Sequence, residues 1–322
     1  MEMITARGLA RSFRNKKGET VHAVKGVDFS VRAGEIVGFL GPNGAGKTTT
    51  LKMLTTLLKP TAGSATVAGY DLAADPQGVR TAIGYVGQSS GTAPMASVRE
   101  ELVMQGECYR MSRTDAAARA DELLSALDLT EQAGTMTMLL SGGQRRRLDI
   151  ALGLIQRPQL VFLDEPSTGL DPQSRTNLWE HIRRLRDDHG ATVFLSTHYL
   201  DEADALCDRV LIIDKGRVVA EDSPEELKQH MGHDTVSVEV ESDVDRARAV
   251  LEGRLGVRNV AVEGTTLLLS VEYGNRRMME LLRILDDADV VPLSVQVTRP
   301  SLNDVFMTVT GRSAEQPDAV SA

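Results

Sequence analysis

The sequence predicts an α/β fold: a mainly parallel sheet covered by helices on both faces, followed by a small α+β module. Three observations carry this expectation. Uninterrupted apolar runs such as Ile36-Val37-Gly38-Phe39-Leu40, Leu160-Val161-Phe162-Leu163 and Val210-Leu211-Ile212-Ile213 are strand-sized and read as strands buried on both faces. Helical segments separate them, as a parallel sheet requires. At 322 residues, the chain exceeds one typical small domain and suits a large domain plus a smaller one.

From about Met3 to Thr66 short β-type runs alternate with turn residues, among them Val21–Val24 and Val27–Val31 as two separate runs. Ile36–Leu40 then leads through a glycine-rich turn into a helix expected over Thr48–Leu58. Between Ser97 and Leu129 the composition turns to Ala, Leu, Asp and Glu, which predicts helix. A second alternating block follows: strand at Leu160–Leu163, helix at Asn177–Asp188, strand at Thr192–Ser196, helix at Leu200–Cys207, strand at Val210–Ile213. A linker is expected around Ser223-Pro224 to His233. Beyond it the order is β (Val236–Val240), α (Val244–Leu251), β (Val257–Val262), β (Thr266–Val271), α (Arg277–Leu285) and β (Val290–Val297), with a last short helix from Ser301. That βαββαβ order is ferredoxin-like. The expected domains are 1–230 and 231–310, with a disordered tail at 311–322.

The formal net charge of −9 argues against nucleic acid as a partner, although Arg145-Arg146-Arg147 could form a local basic patch. Cys108 and Cys207 have no metal spacing and read as two buried, reduced thiols. The N-terminus carries no signal-peptide pattern. No run approaches the roughly 18 apolar residues of a membrane span.

Gly41-Pro42-Asn43-Gly44-Ala45-Gly46-Lys47-Thr48 matches G-x-x-x-x-G-K-[ST] between a buried strand and a helix. Glycines let the backbone wrap around phosphates, and N–H groups at the helix start hold negative charge. Lys47 is expected on the β- and γ-phosphates and the Thr48 hydroxyl on Mg2+. The run Leu160 to Leu163 ends in Asp164-Glu165, carboxylates at a strand's C-terminal edge beside that loop. Asp164 is expected to hold Mg2+ and Glu165 to polarise an attacking water. His198 closes the strand Val193–Thr197 and fits a γ-phosphate sensor; Gln88, after Ile83–Gly87, could reach both Mg2+ and that water. Leu140-Ser141-Gly142-Gly143-Gln144 opens another helix and is physically a second anion site. Taken alone, such a turn is only a flexible helix cap.

Together and in this order, these motifs resemble the nucleotide-binding domain of ABC transporters over about residues 3–230. The resemblance implies a P-loop NTPase fold with an antiparallel β portion near the N-terminus and a helical subdomain at about 97–157. It implies ATP and Mg2+, with Phe13 stacking on adenine, Gly41–Thr49 on the phosphates, and Ser141, Gly142, Gly143 and Gln144 as the signature. Ser167–Asp171 becomes the D-loop, placing Asp171 at the nucleotide, while Glu165, His198, Gln88 and Lys47 carry catalysis. Phe13 stands where Tyr is more usual, and a polar insertion, Arg14–Thr20, follows it. Ser196–Ala203 and Ser301–Phe306 are similar to ABC-2-type bacterial exporters, in particular daunorubicin-resistance ATP-binding subunits. The implied partners are a separate ABC-2-type permease of about six helices and a second cassette, this chain again or a related one, in a head-to-tail dimer. The implied place is peripheral, on the cytoplasmic face of the membrane. An importer subunit and a soluble ABC ATPase remain as alternatives; repair types of the latter insert long coiled coils, and no heptad run lies between Thr49 and Leu140.

Overall fold

The computed structural model describes residues 1–89, 91–230, 234–252, 254, 257, 259–271 and 274–311. The expected tail, 311–322, lies outside the described residues except for Gly311. The chain divides into two compact units, Met1–Ser223 and Pro224–Ala322.

The first unit begins with two long strands, β1 (Glu2–Arg14) and β2 (Thr20–Arg32), paired antiparallel. The polar residues expected as an insertion form the turn between them, where Asn15 Oδ1 accepts from the N–H groups of Lys17 and Glu19. The two runs expected at 21–24 and 27–31 are one strand, β2, whose pairing with β1 is irregular in register but unbroken. Next come β3 (Ile36–Leu40) and α1 (Lys47–Leu54). This helix stops short of the expected Leu58: Thr55 caps it, and Thr56 takes a left-handed backbone at φ 63° that no helix continues through. Then follow β4 (Ala62–Val67), β5 (Tyr70–Asp71), α2 (Pro76–Ala82) and β6 (Ile83–Val86). β2, β1, β4 and β5 form one antiparallel sheet in that order.

Helices α3 (Val98–Cys108), α4 (Arg113–Ala126) and α5 (Gly142–Leu154) come next. Ser97, Ser112 and Ser141 supply the N-caps, satisfying backbone N–H groups that a helix start leaves orphaned. The unit closes with β7 (Leu160–Asp164), α6 (Pro172–His189), β8 (Thr192–Thr197), α7 (Leu200–Leu206), β9 (Arg209–Asp214) and β10 (Arg217–Asp222).

The central sheet has the order β10-β9-β3-β8-β7-β6, parallel throughout except for β10. Its middle strands are buried along their whole length, which is why they read as continuous apolar runs. Phe194 sits at the centre of an aromatic cluster, 5.7 Å from the rings of Phe29, Phe39 and Phe162. Register then sets the functional geometry. Leu40 pairs with Thr197 and Asp164 with Ser196, so β3, β8 and β7 end side by side.

Cys207 is buried, as expected, but Cys108 is exposed at the C-terminal end of α3. The Cys207 thiol lies only 2.6 Å from where a Cβ on Gly38 would be, and burial pushes its pKa well up. It fills space and is not a nucleophile.

The second unit starts with α8 (Pro224–His230), which occupies most of the segment expected as a linker. Then come β11 (Asp234–Val240), α9 (Val244–Leu251), β12 (Asn259–Glu263), β13 (Thr266–Val271), α10 (Gly274–Asp287), β14 (Pro292–Thr298) and α11 (Leu302–Thr310). Its antiparallel sheet runs β12-β13-β11-β14, the ferredoxin-like order. Val236, Val238 and Val240 alternate into a core with Leu267, Leu269, Val271, Ala247 and Leu281.

The contact between β6 and α5 leaves no room for a side chain at Gly84, whose Cβ would meet the Gly153 carbonyl oxygen at 2.2 Å. Gly84→Ala must separate the strand from the helix at backbone level. We expect it to cost about 1–3 kcal/mol, read as a lower urea midpoint at unchanged slope.

Candidate functional site

The loop from Gly41 to Gly46 joins the end of β3 to the start of α1. Its shape favours glycine at three positions, Gly44 among them with φ 80°. A Cβ on Gly41 would sit 2.4 Å from the Ile213 carbonyl oxygen, and Gly46, at φ 111°, takes a backbone that L residues rarely adopt. Pro42 is half-buried, Asn43 and Gly44 are exposed, and Ala45 is buried below them. Lys47 is 4% exposed; its Nζ donates to the carbonyls of Gly41 at 2.8 Å and Pro42 at 3.2 Å. The same Nζ is 3.3 Å from Glu165 Oε1. Burial pulls the Lys47 ammonium below the ordinary lysine range, while Glu165 and Asp164 push back toward the charged form.

Asp164 is buried at the end of β7 and acts as a common acceptor. Its Oδ1 receives the Thr48 hydroxyl at 3.1 Å and the Ser196 hydroxyl at 2.6 Å. Thr49 lies half-buried on the next residue of α1. Glu165 follows with a left-handed backbone, φ 47°, a conformation costing about 1–3 kcal/mol in a non-glycine residue. Its N–H is held at 3.1 Å by both the carbonyl and the hydroxyl of Ser196. The Glu165 carboxylate faces three groups: Lys47, the Thr168 hydroxyl, which donates to Oε2 at 3.2 Å, and His198, whose Nδ1 is 3.3 Å from Oε2. The His198 ring stands 4.1 Å from Tyr199. Lys47, Thr48, Asp164, Glu165 and His198 therefore form one constellation.

The other expected residues stand apart from it. Gln88 lies exposed just beyond β6, and among the described residues it makes no hydrogen bond to Thr48, Asp164 or Glu165. Phe13 is partly exposed near the end of β1, with the Arg11 guanidinium 4.8 Å above its ring. Ser141 and Gln144 build a capping box at the start of α5: Gln144 N–H donates to Ser141 Oγ at 3.3 Å, and Ser141 N–H donates to Gln144 Oε1 at 2.9 Å. Gly142 and Gly143 open α5, and a Cβ on Gly143 would come within 2.9 Å of Ser174 Oγ. Asp171 caps α6, accepting from Ser174 N–H at 2.9 Å and the Ser174 hydroxyl at 2.6 Å, bonds that hold its carboxyl below the usual range. The signature turn and the start of α6 are thus neighbours within one chain.

The arginine run is not a basic patch, because Arg146 is buried. Its guanidinium donates to the carbonyls of Gly87 at 2.7 Å, Pro166 at 2.8 Å and Asp164 at 3.0 Å. Burial lowers its pKa, opposed by Asp149 and Asp164. Sequence reasoning missed this role, and also missed Ser196, whose hydroxyl orients Asp164; spacing gives no signal for either. A groove of about 390 Å³ opens beside the same segment, lined by Tyr85, Gly87, Glu101, Gln105, Tyr109 and Asp149 among others. Glu101 Oε1 accepts from Ala93 N–H at 3.1 Å, while its buried Oε2 has no hydrogen-bond partner among the described residues.

The family described as "ABC transporter" matches residues 24–168, and that described as "ATP-binding protein DrrA1-3-like, C-terminal domain" matches residues 223–310. The daunorubicin resistance ATP-binding protein DrrA2 of Streptomyces coeruleorubidus is 39% identical over 97% of this chain and 98% of its own length. The Nod factor export ATP-binding protein I of Bradyrhizobium diazoefficiens is 35% identical, with 96% of each chain covered. Among solved structures, the ATP-binding cassette MJ0796, a dimer in a post-hydrolysis state bound to ADP and Pi, superposes with a TM-score of 0.63 at 26% identity. That match covers 69% of this chain and 98% of the cassette.

Replacing Arg146 strands the carbonyls of Gly87, Asp164 and Pro166 without their donor. Arg146→Leu is expected to destabilise the first unit by about 2–4 kcal/mol, measured by denaturant titration. Arg147→Leu, on the half-buried neighbour, is expected to cost a fraction of that.

Proposed function

This chain belongs to the ABC transporter family as an ATP-binding, ATP-hydrolysing subunit, and on that premise we propose how its residues divide the work. The observation that carries the reading is Glu165: its carboxylate is 3.3 Å from both Lys47 and His198 at the edge of the phosphate loop. A polyphosphate arriving at the Gly41–Thr49 loop takes Lys47 and the N–H groups at the start of α1. Glu165, released from Lys47, is then placed to accept a proton from the attacking water, and His198 contacts the γ-phosphate. Gln88 completes the water's surroundings, and Phe13 stacks on the adenine.

Mg2+ fits the oxygens gathered here: the Thr48 hydroxyl and the Asp164 carboxylate are hard donors 3.1 Å apart. When bound, the ion supplies charge stabilisation on the phosphate oxygens.

We assign Ser141, Gly142, Gly143 and Gln144 to ATP held by a second cassette, in a head-to-tail dimer. The Ser141 side chain, already capping α5, offers its oxygen at a helix N-terminus, where the dipole favours a phosphate. Asp171, next to Gly143 through Ser174, belongs to the same dimer face. Among the described residues no helix is long and apolar enough to cross a membrane. We assign the span to a separate permease of ABC-2 type, with this chain peripheral on the cytoplasmic face, by its likeness to the export and resistance ATP-binding relatives. The groove along Gly87, Glu101 and Tyr109, within the segment from Ser89 to Arg110 and its neighbours, is the proposed docking place for that permease. The cargo is drug-like or lipid-like and leaves the cell, as the names of the daunorubicin-resistance and Nod-factor-export relatives suggest.

Glu165→Gln is expected to lower kcat by at least about 100-fold while ATP is still bound and a dimer accumulates in size-exclusion chromatography. Hydrolysis at the wild-type rate removes Glu165 as the base. Mixing Lys47→Ala with Ser141→Ala chains is expected to restore part of the ATPase activity, because one composite site in the mixed dimer keeps both residues. Failure at every mixing ratio contradicts sharing between chains.

A further inference from the structure

Glu202 stands in the first turn of α7 and is 0% exposed, yet no step above uses it. A carboxyl withdrawn from water is costly unless its lone pairs are occupied. Oε1 accepts from the Ser167 hydroxyl and, at 3.1 Å, from the Trp179 indole N–H, which is also 3.1 Å from Ser167 Oγ. The buried Oε2 has no hydrogen-bond partner among the described residues. Burial pushes the Glu202 carboxyl pKa up, and Ser167, Thr197 and Trp179 pull it back.

The three side chains come from separate segments. Ser167 lies in the loop between Glu165 and Asp171, Trp179 in the middle of α6, and Glu202 on the helix that begins just after His198. Both ends of the cluster adjoin the reaction. Thr168, next to Ser167, donates to Glu165 at 3.2 Å, and Tyr199, which precedes α7, stands 4.1 Å from the His198 ring. A second tie runs outside the first: Arg175 of α6 is 3.2 Å from Asp201 and lies 4.2 Å above the Tyr199 ring. Packing alone would be served as well by an apolar residue of this size, so the buried carboxyl points to specificity of placement.

We propose that Glu202 is a positioning residue of the ATPase site: by holding Ser167 and Trp179, it locks the loop after Glu165 to the helix after His198. Glu165 and His198 then move together and keep one relative placement. Glu202 acts through Ser167 and touches neither reacting group. The proposal rests on the roles given above to Glu165 and His198.

The chain contains one tryptophan, so Trp179 emission reports on this cluster without background. We would measure ATPase kinetics and MgATP-induced Trp179 emission in Ser167→Ala, Glu202→Leu and Glu202→Gln, taking the emission in a Glu165→Gln background. Ser167→Ala and Glu202→Leu are expected to lose about 10-fold to 100-fold in kcat while KM for ATP stays within about threefold, and to lose the emission change. Glu202→Gln, which keeps an acceptor oxygen, restores both. The Ser167→Ala/Glu202→Leu double variant is no worse than the poorer single one, as expected of groups acting as a unit. Should Glu202→Leu fail to fold, Ser167→Ala alone decides. A kcat within about threefold of wild type, a parallel change in KM, or an intact emission change in Ser167→Ala overturns the proposal. If Glu165→Gln turns over normally, the assignment of the base has failed; if only the Ser167 and Glu202 variants do, this linkage has failed and that assignment stands.

Discussion

A buried guanidinium must find acceptors on every side, and that requirement at Arg146 organises the first unit around its site. Its N–H groups end on the carbonyls of Gly87, Asp164 and Pro166, which close β6, end β7 and begin the loop toward α6. One side chain from α5 therefore ties together two stretches distant in sequence, the end of β6 and the end of β7 with the loop after it. Backbone carbonyls in loops rarely find donors by themselves, and without this one they would need water where water is excluded. The cost of burying the charge is offset by acceptors whose positions it then dictates. Gln88 and Glu165 each adjoin one of these anchors, and Ser141 caps the helix that carries Arg146.

The strand ends supply the rest of the placement. Parallel register sets Leu40 beside Thr197 and Asp164 beside Ser196. Ser196 uses that alignment twice: its hydroxyl points at Asp164, and its carbonyl holds the N–H of Glu165 in a left-handed turn. The strained backbone at Glu165 swings its carboxylate back toward Lys47 and His198. Local strain at a reactive carboxylate, held by a neighbouring strand, is the kind of expense that a rigid parallel sheet can sustain.

Much of this was legible in the sequence, and the legible parts share a property. The phosphate loop, the Asp164-Glu165 strand end and the signature turn at the start of a helix are each contiguous, so their chemistry and their supporting elements are read in one stretch. The second unit was legible for a similar reason: its alternating Val and Leu positions declare one buried face per strand. What escaped depends on distant partners. Arg146 reads as part of a basic run until Gly87 and Pro166 are brought to it, and Ser196 looks like any strand residue until Asp164 lies alongside. Cys108 was expected to be buried because cysteine usually is, but it falls at the exposed end of α3. The premature stop of α1 turns on one backbone torsion, at Thr56, that composition does not encode.

The pairing of Lys47 with Glu165 bears on how the pocket chooses among the many anions of a cell. A lysine already facing a carboxylate at 3.3 Å presents little net positive field to solution. A single small anion has fewer contacts there with which to displace the carboxylate than a polyphosphate has. Only a chain of phosphates can touch the lysine and several loop N–H groups at once, and the sum of those contacts does the displacing. Discrimination therefore lies in the number of simultaneous contacts and not in the strength of long-range attraction, and the loop acts as a gauge of ligand length.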